Sequence, residues 1–294
     1  MKKTIAIIAP TGMLGSMVYN VLCNKYNLVL VYRNINNLKK LNTTYGNVKN
    51  HKQVHFDLYT LYLDYIKSNN TGNLNSLNSL IGKIGNADMI INCAGINKSQ
   101  SLKDPLKTFF INGVLAHILS SVYKDKLLHV TTDSVFDGVR NAPYSEKSTK
   151  LPNDLYGLSK SLGEPVTSLI LRTSFIGPEI IGYYSLLEWV KKNDNKKIHA
   201  YRNHIWNGIT SREFAKICIK IIEKRSHFPK DGIFHIFSSD ISKYDMLLKI
   251  RDKYNLDIDI APTETIPLDR RLTTIYDVCR KLNIPDFDTM LKEL

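Results

Sequence analysis

The N-terminal segment constrains the fold of this 294-residue chain more than any other part. An apolar run at Thr4–Ile8 breaks into the small-residue turn Ala9-Pro10-Thr11-Gly12, and a helical pattern opens near residue 13. Such a run predicts a buried strand of a parallel sheet. Gly12 would let a pyrophosphate approach the backbone, Gly15 would let the helix pack closely on the strand, and the helix N-terminus would attract phosphate. The pattern predicts a dinucleotide-binding turn formed by Thr11, Gly12, Met13 and Leu14.

One position departs from the G-x-x-G-x-x-G form of this fingerprint, whose first glycine would fall at Ala9. Because alanine is small, we expect the turn to be kept in a tighter form.

Strand and helix patterns alternate as far as about residue 175, which predicts an α/β fold with a doubly wound parallel sheet of the Rossmann type. Beyond that point the spacing is less regular, so we expect a dinucleotide-binding domain over 1–174 and a smaller substrate-binding lid over 175–294. Part of the lid, about 203–238, is expected to return to the sheet. The predicted strands are 4–8, 28–32, 54–56, 89–92, 127–131, 169–172 and 232–237, and the predicted helices include 74–84, 185–192, 212–223 and 243–253.

The net charge of +13 raises the question of nucleic-acid binding. The basic residues are dispersed, however, in pairs such as Lys39-Lys40 and Lys196-Lys197, which is typical of a solvated surface. We therefore expect no nucleic-acid partner, although the charge favours anionic cofactors and substrates. The cysteines and histidines are scattered without metal-ligand spacing, so no metal site is expected.

Two features bear on cellular location. No apolar run approaches the roughly 18–20 residues needed to span a membrane, so no membrane contact is expected. Met1-Lys2-Lys3 and the apolar run after it are too short for a secretory signal before Pro10 interrupts them. The expected location is the cytoplasm.

Tyr156 and Lys160 stand at i and i+4, which places them on one face of a helix. A lysine ammonium there would stabilise a phenolate and lower a phenol pKa that starts near ~10. The hydroxyl of Thr132, at the end of a predicted strand, would bind the same substrate oxygen. The alternatives are a solvated helix face for the Tyr-Lys pair and a turn cap for Thr132.

Several further motifs, taken in order, resemble the dTDP-4-dehydrorhamnose reductase family of extended short-chain dehydrogenases/reductases. The resemblance covers the first 175 residues well and the segment 203–237 more loosely. The motifs are 9–15 in the first turn, Asn92-Cys93-Ala94-Gly95, Thr131-Thr132-Asp133-Ser134-Val135-Phe136-Asp137-Gly138, Tyr156–Lys160 with Gly163-Glu164, and Leu171-Arg172-Thr173-Ser174-Phe175.

This resemblance implies reduction of a 4-keto nucleotide-sugar with NADPH or NADH. It assigns Thr132, Tyr156 and Lys160 as the catalytic triad, with Tyr156 as proton donor. By position it also assigns three groups of binding residues. They are Asp57 and Leu58 at adenine, Cys93, Ala94 and Gly95 at the cofactor, and Asp133 and Ser134 at the substrate.

Residue 134 also bears on the reaction type. Related 4,6-dehydratases carry Asp-Glu directly after the threonine, whereas here Asp133 is followed by Ser134. The missing glutamate leaves elimination poorly supported and favours simple ketone reduction.

Arg33, at the end of the second predicted strand, indicates the cofactor. An acidic residue there would accept the adenosine ribose hydroxyls, whereas arginine suits a 2′-phosphate. We therefore expect NADPH, with NADH as the alternative; a solvated loop arginine is the other reading of this position.

The substrate remains open between two sugars. Ser134 and Phe175 stand where the family often has larger Tyr and Trp, which would make room for a 2-acetamido group. Trp206 would stack on a base or sugar and Asn207 would hydrogen-bond it, although Trp189 and Trp206 are equally well read as core anchors. These features favour a UDP-2-acetamido-2,6-dideoxy-4-ketohexose, reduced to a UDP-N-acetyl-L-rhamnosamine-type product, over dTDP-4-dehydrorhamnose. A non-catalytic NADP-binding regulatory subunit is the alternative from another class, and a homodimer is one option for assembly.

Overall fold

A computed structural model describes residues 2–67 and 75–294 of the chain. The strands are β1 (Thr4–Ile8), β2 (Asn27–Tyr32), β3 (Lys52–His55), β4 (Met89–Asn92), β5 (Leu127–Thr132), β6 (Leu169–Thr173), β7 (Phe175–Ile176), β8 (Lys196–Tyr201), β9 (His204–Trp206), β10 (Ile209–Thr210), β11 (Gly232–His235), β12 (Ile241–Ser242), β13 (Ile258–Thr263) and β14 (Leu268–Asp269).

The helices lie between these strands, and 3-10 turns and one π-helical segment (Phe110–Val114) complete the connections. The α-helices are α1 (Met13–Leu22), α2 (Ile35–Tyr45), α3 (Thr60–Lys67), α4 (Asn75–Ile84), α5 (Lys98–Ser101), α6 (Pro105–Phe109), α7 (Leu115–Tyr123), α8 (Leu155–Leu162), α9 (Leu186–Lys191), α10 (Ser211–Glu223), α11 (Lys243–Tyr254), α12 (Val278–Leu282) and α13 (Phe287–Lys292).

Seven strands form one parallel sheet in the order β11-β6-β5-β4-β1-β2-β3. This order reverses direction beside β1, as in doubly wound folds, and it confirms the predicted Rossmann-type sheet. All seven predicted strands are present, with small differences at their ends. The predicted helix at 74–84 corresponds to α4, while its first residue, Leu74, lies outside the described residues.

Alternate residues of each central strand enter two separate cores, one on each face of the sheet. In β1, Ile5 and Ile7 face the layer that contains α1 and α10, whereas Ala6 and Ile8 face the layer that contains α7. Burial on both faces explains why the strand is apolar from Ile5 to Ile8 and does not alternate with polar residues.

The C-terminal part of the chain divides between this sheet and a lobe of its own. Helix α10 belongs to the core beside α1, and β11 pairs with β6 at the edge of the sheet. By contrast, β9, α9, α11 and β13 contribute to a separate core that includes Trp206 and Phe287. Small sheets, β12-β9-β14 and β13-β8, connect the parts of this lobe.

The helical segment Pro105–Lys126 corrects one expectation. It is long and apolar enough to cross a membrane by length and composition, whereas the sequence was expected to contain no such stretch. Half of its apolar window is buried inside the protein, and Phe110, Leu115 and Leu119 pack in the core beneath the sheet. Its apolar character is explained by its place as a core helix.

The first turn is built closely around residue 9. Ala9 has a φ of 60°, in the left-handed region where glycine is unstrained and alanine is not. A Cβ built on Gly15 would lie 2.1 Å from the carbonyl oxygen of Ala9, whereas one built on Gly12 would meet nothing closer than 3.9 Å. Only Gly15 is therefore demanded by the packing of α1 on the turn.

These two glycines give a matched pair of variants. We expect Gly15→Ala to lower the free energy of unfolding by about 1–3 kcal/mol or more, because the clash is with backbone and cannot relax locally. Gly12→Ala should leave stability unchanged or slightly raised, since φ at Gly12 is −78° and suits alanine. Urea unfolding measures both, and equal losses for the two variants would contradict this account of the turn.

Candidate active site

A cleft of about 500 Å³ runs along the carboxyl ends of the central strands. Parallel strands present these ends at the same edge, so residues from distant parts of the sequence meet there. The cleft is lined by every residue predicted to bind the cofactor: Thr11, Gly12, Met13, Leu14, Arg33, Asp57, Leu58, Cys93, Ala94, Gly95, Tyr156 and Lys160.

The chemistry of these residues fits a dinucleotide phosphate. The N-terminus of α1 opens onto the cleft at Gly12 and Met13, where its free N–H groups suit a pyrophosphate. The absence of a close neighbour around a Cβ at Gly12 shows that the protein's own packing does not fill this position. Arg33 is exposed and lines the same cleft beside Asn34 and Asn37, as a 2′-phosphate would require.

A buried pair of polar side chains fixes the loop after β4. The Asn92 side-chain oxygen accepts a hydrogen bond from the backbone N–H of Ala94 at 3.1 Å, and its amide nitrogen lies 3.1 Å from Nδ1 of His129. Burial, and then the Lys160 charge, hold the pKa of His129 well below its usual value. His129 is thus a neutral, packed strand residue that supports the Cys93-Ala94-Gly95 segment.

Close backbone contact places α8 against the end of β5. A Cβ built on Gly157 would lie 2.2 Å from the carbonyl oxygen of Ser134, so only glycine allows this approach. The Asp154 carboxylate caps the helix by accepting from the N–H of Gly157 at 2.7 Å. Tyr156 is thereby held beside Thr132, and one turn later the Lys160 ammonium donates to the carbonyl oxygen of Val130 at 2.9 Å.

Burial controls the ionisation of this pair. It raises the pKa of Tyr156 to about 12, although the neighbouring Thr132 hydroxyl opposes the rise, and it lowers the pKa of Lys160 to about 8. Burial raises the tyrosine pKa more than its neighbours lower it, and the Lys160 ammonium is engaged with Val130, so the expected net lowering of the Tyr156 pKa is not observed. Tyr156 is fully protonated near neutral pH, as a proton donor must be.

Thr132 caps a turn and also lies beside the predicted proton donor, so both interpretations of the sequence apply to it. Its Oγ1 accepts from the N–H of Ser134 at 3.1 Å, which caps the 3-10 turn Asp133–Val135. The same hydroxyl donates to Oδ1 of Asp133 at 3.1 Å and lies beside Tyr156. The three residues of the predicted triad thus lie close together at the carboxyl end of β5.

Two predicted substrate residues lie away from the cleft. Trp206 is 5% exposed and packs at 89° against Phe287 in the core of the C-terminal lobe, so its indole has no face available to a base. The Asn207 amide is used on both sides by the backbone of Leu272, at 2.9 Å each. Both residues hold the lobe together, which corrects the stacking and hydrogen-bonding roles expected of them. Trp189, in contrast, is 42% exposed and anchors no core.

The remaining predicted substrate residues stay near the triad. Phe175 lines the cleft, and Ser134 is partly exposed beside Thr132. Three residues that were not predicted from the sequence also line the cleft: Glu179, Ile181 and Tyr184. They belong to the irregular segment between β7 and α9, where no periodicity marks a binding role. Within the described residues, no cluster of His, Cys, Asp and Glu could hold a metal ion.

Comparison with known proteins places this geometry in a family. The family model of the RmlD substrate binding domain matches residues 5–271. The spore coat polysaccharide biosynthesis protein SpsK of Bacillus subtilis is 28% identical over 191 residues, covering 60% of this chain and 65% of SpsK. The dTDP-4-dehydrorhamnose reductase of Aggregatibacter actinomycetemcomitans is 31% identical over 163 residues, covering 52% and 54%. The matches therefore span between half and two thirds of these relatives.

The fold is shared more widely than the sequence. The structure of dTDP-4-dehydrorhamnose reductase from Bacillus anthracis in complex with NADP matches with a TM-score of 0.71. It covers 100% of this chain and 98% of that chain at 19% identity. This likeness confirms the Rossmann-type α/β fold, and the family model confirms the resemblance found in the sequence motifs.

Arg33 provides a test of cofactor choice. We expect Arg33→Ala to weaken NADPH binding much more than NADH binding, because only NADPH carries the phosphate that this guanidinium would pair. Fluorescence titration of both cofactors measures the difference, with Lys39→Ala, on the exposed side of α2, as the surface-charge control. Equal losses for both cofactors would show that Arg33 does not read the 2′-phosphate.

The lowered pKa of Lys160 predicts a basic limit to activity. Lys160 is an ammonium below about pH 8 and loses its charge as the pH rises through that value. We therefore expect kcat/KM to fall above about pH 8, whereas Tyr156, with a pKa of about 12, stays protonated there. A pH–rate profile that stays flat well beyond pH 8 would separate Lys160 from the chemistry.

Proposed function

Because this chain belongs to the RmlD substrate binding domain family, we propose that it is an NADPH-dependent reductase of the C4 ketone of a nucleotide-activated 6-deoxy-4-ketohexose. The observation that carries the proposal is that Tyr156 and Lys160 line the cleft whose other residues suit a dinucleotide, with the Thr132 hydroxyl beside Tyr156. The Aggregatibacter relative, a dTDP-4-dehydrorhamnose reductase, supports the same substrate class.

The bound cofactor would supply hydride to the ketone carbon. Tyr156 would give its phenolic proton to the oxygen that becomes negative, since an alkoxide is a stronger base than a phenolate. Lys160 lies one helical turn away, and its positive charge would stabilise the resulting phenolate. Thr132 would hold the same oxygen in place. Thr132 and Lys160 are buried and Tyr156 is half-buried, and the exclusion of water strengthens each of these interactions.

We propose a UDP-linked 2-acetamido-2,6-dideoxy-4-ketohexose as the substrate. Support comes from Ser134 and Phe175, which stand close to the triad and at the cleft, and which are smaller than the Tyr and Trp common in the family. A smaller pair leaves room for a 2-acetamido group. Trp206 and Asn207 do not support this choice of substrate, since Trp206 is packed in the lobe core and the Asn207 amide binds the backbone of Leu272.

The test is NADPH oxidation with a panel of UDP- and dTDP-linked 4-keto-6-deoxy sugars. We expect the highest kcat/KM for the UDP-2-acetamido sugar, because specificity is a difference in transition-state binding. Tyr156→Phe should lower kcat by about 10²–10⁴ and leave NADPH affinity almost intact, since only the proton donor is lost. Near-normal turnover in this variant would remove Tyr156 from the mechanism.

Two other outcomes would redirect the proposal. A clear preference for the dTDP sugar would identify dTDP-4-dehydrorhamnose as the substrate class and leave ketone reduction standing. Binding of NADPH without oxidation by any sugar would favour the regulatory-subunit alternative.

A further inference from the structure

The Thr132 hydroxyl has one proton, and the structure shows where that proton is directed. A hydroxyl can donate once and accept twice. One acceptor position of Oγ1 is taken by the backbone N–H of Ser134, at 3.1 Å. The neighbouring Oδ1 of Asp133 lies 3.1 Å from the same oxygen. An ionised carboxylate only accepts, so it takes the Thr132 proton and leaves that hydroxyl a single lone pair for any further partner.

A protonated Asp133 would reverse this arrangement. Its acid group would donate to the second lone pair of Thr132, and the Thr132 proton would then be free to point at a substrate oxygen. The ketone of a sugar accepts hydrogen bonds and donates none. Thr132 can therefore bind the ketone oxygen only when Asp133 carries a proton.

Asp133 is buried among groups that act on its ionisation in opposite directions. The residue is 6% exposed, and its Oδ1 also lies 3.4 Å from the Ser134 hydroxyl. Burial raises its pKa, whereas Arg270, a hydrogen bond from Thr132, Lys243 and a hydrogen bond from Ser174 all act to lower it.

The groups facing Asp133 come from separate elements. Lys243 begins α11, and its ammonium lies 5.5 Å from the ring centre of Trp206. Arg270 follows β14 and donates to the carbonyl oxygen of Phe136 and to the side chain of Asn153, at 3.2 Å each. Tyr156, on α8, faces the same carboxyl group. The only charges among these groups are the two cations, which stabilise the ionised form of Asp133.

We propose that Asp133 is a positioning residue whose proton decides whether Thr132 donates to the ketone oxygen, and that Arg270 and Lys243 together favour its ionised form. The inference rests on the proposed ketone reduction. It gives Asp133 a role in orienting the reacting oxygen through Thr132, beyond contact with the sugar. Reduction should then be fastest when Asp133 is neutral and should weaken as the pH rises through its ionisation.

The test compares pH profiles of kcat/KM for four proteins. In the wild type we expect a step down as Asp133 ionises, about 10²-fold in size because one donor to the developing oxyanion is lost, and a separate fall near pH 8 from Lys160. Asp133→Asn, which stays neutral and keeps an N–H donor toward Thr132, should lack the first step. Lys243→Met should move that step to higher pH, because a cation that favours the carboxylate is gone. In Thr132→Val the step should be absent.

An infrared titration follows Asp133 without requiring turnover. The carboxylic acid band that disappears with rising pH should be missing in Asp133→Asn and should persist to higher pH in Lys243→Met. NADPH titration of each variant checks that its fold is intact. A step that survives in Asp133→Asn or Thr132→Val, or a band that Lys243→Met does not shift, would overturn the inference. Failure of the wild type to reduce any ketosugar would instead contradict the proposed function, and the infrared result would still decide whether Lys243 favours the ionised form of Asp133.

Discussion

A buried arginine links two strands of the central sheet to the end of the helix that carries the reactive groups. Arg172, in β6, is 1% exposed and donates to both carboxylate oxygens of Glu164, at 3.0 and 2.7 Å. Its remaining nitrogen Nη1 lies 2.8 Å from Nε2 of His235 in β11. Burial alone would raise the pKa of Glu164, but Arg172 outweighs it and keeps the carboxylate ionised. Because removing one partner of a buried pair typically costs about 3–5 kcal/mol, β6, β11 and the end of α8 depend on one another.

The Arg172–Glu164 ion pair helps to hold the reactive groups in place. Glu164 follows α8 directly, so the ion pair fixes the C-terminal end of the helix that carries Tyr156 and Lys160. The contact of Gly157 with the backbone of residue 134 fixes the other end. A helix held at both ends presents its side chains with little freedom, which is the kind of preorganisation that catalysis requires. The same burial moves both groups toward their neutral forms.

The sequence was sufficient for the sheet and for the cofactor cleft. Fully buried parallel strands have short apolar sequences, and their carboxyl ends lie at the same edge of the sheet. That residues such as Arg33 and Lys160 line one cleft could therefore be predicted from the sequence. It was insufficient where a side chain's role depends on a distant partner. Trp206 packs against Phe287 in the lobe core, and the Asn207 amide binds the backbone of Leu272. No local sequence pattern predicts these contacts. The direction of a hydroxyl proton is likewise invisible in sequence.

Hydride transfer to a sugar ketone is the chemistry proposed for this cleft. It is tested most directly with NADPH deuterated at the transferable position of its nicotinamide, incubated with a UDP-2-acetamido-2,6-dideoxy-4-ketohexose. The account predicts a reduced sugar with deuterium on C4, detected by NMR and mass spectrometry. Deuterium retained in the cofactor, with the ketosugar unchanged, would contradict it.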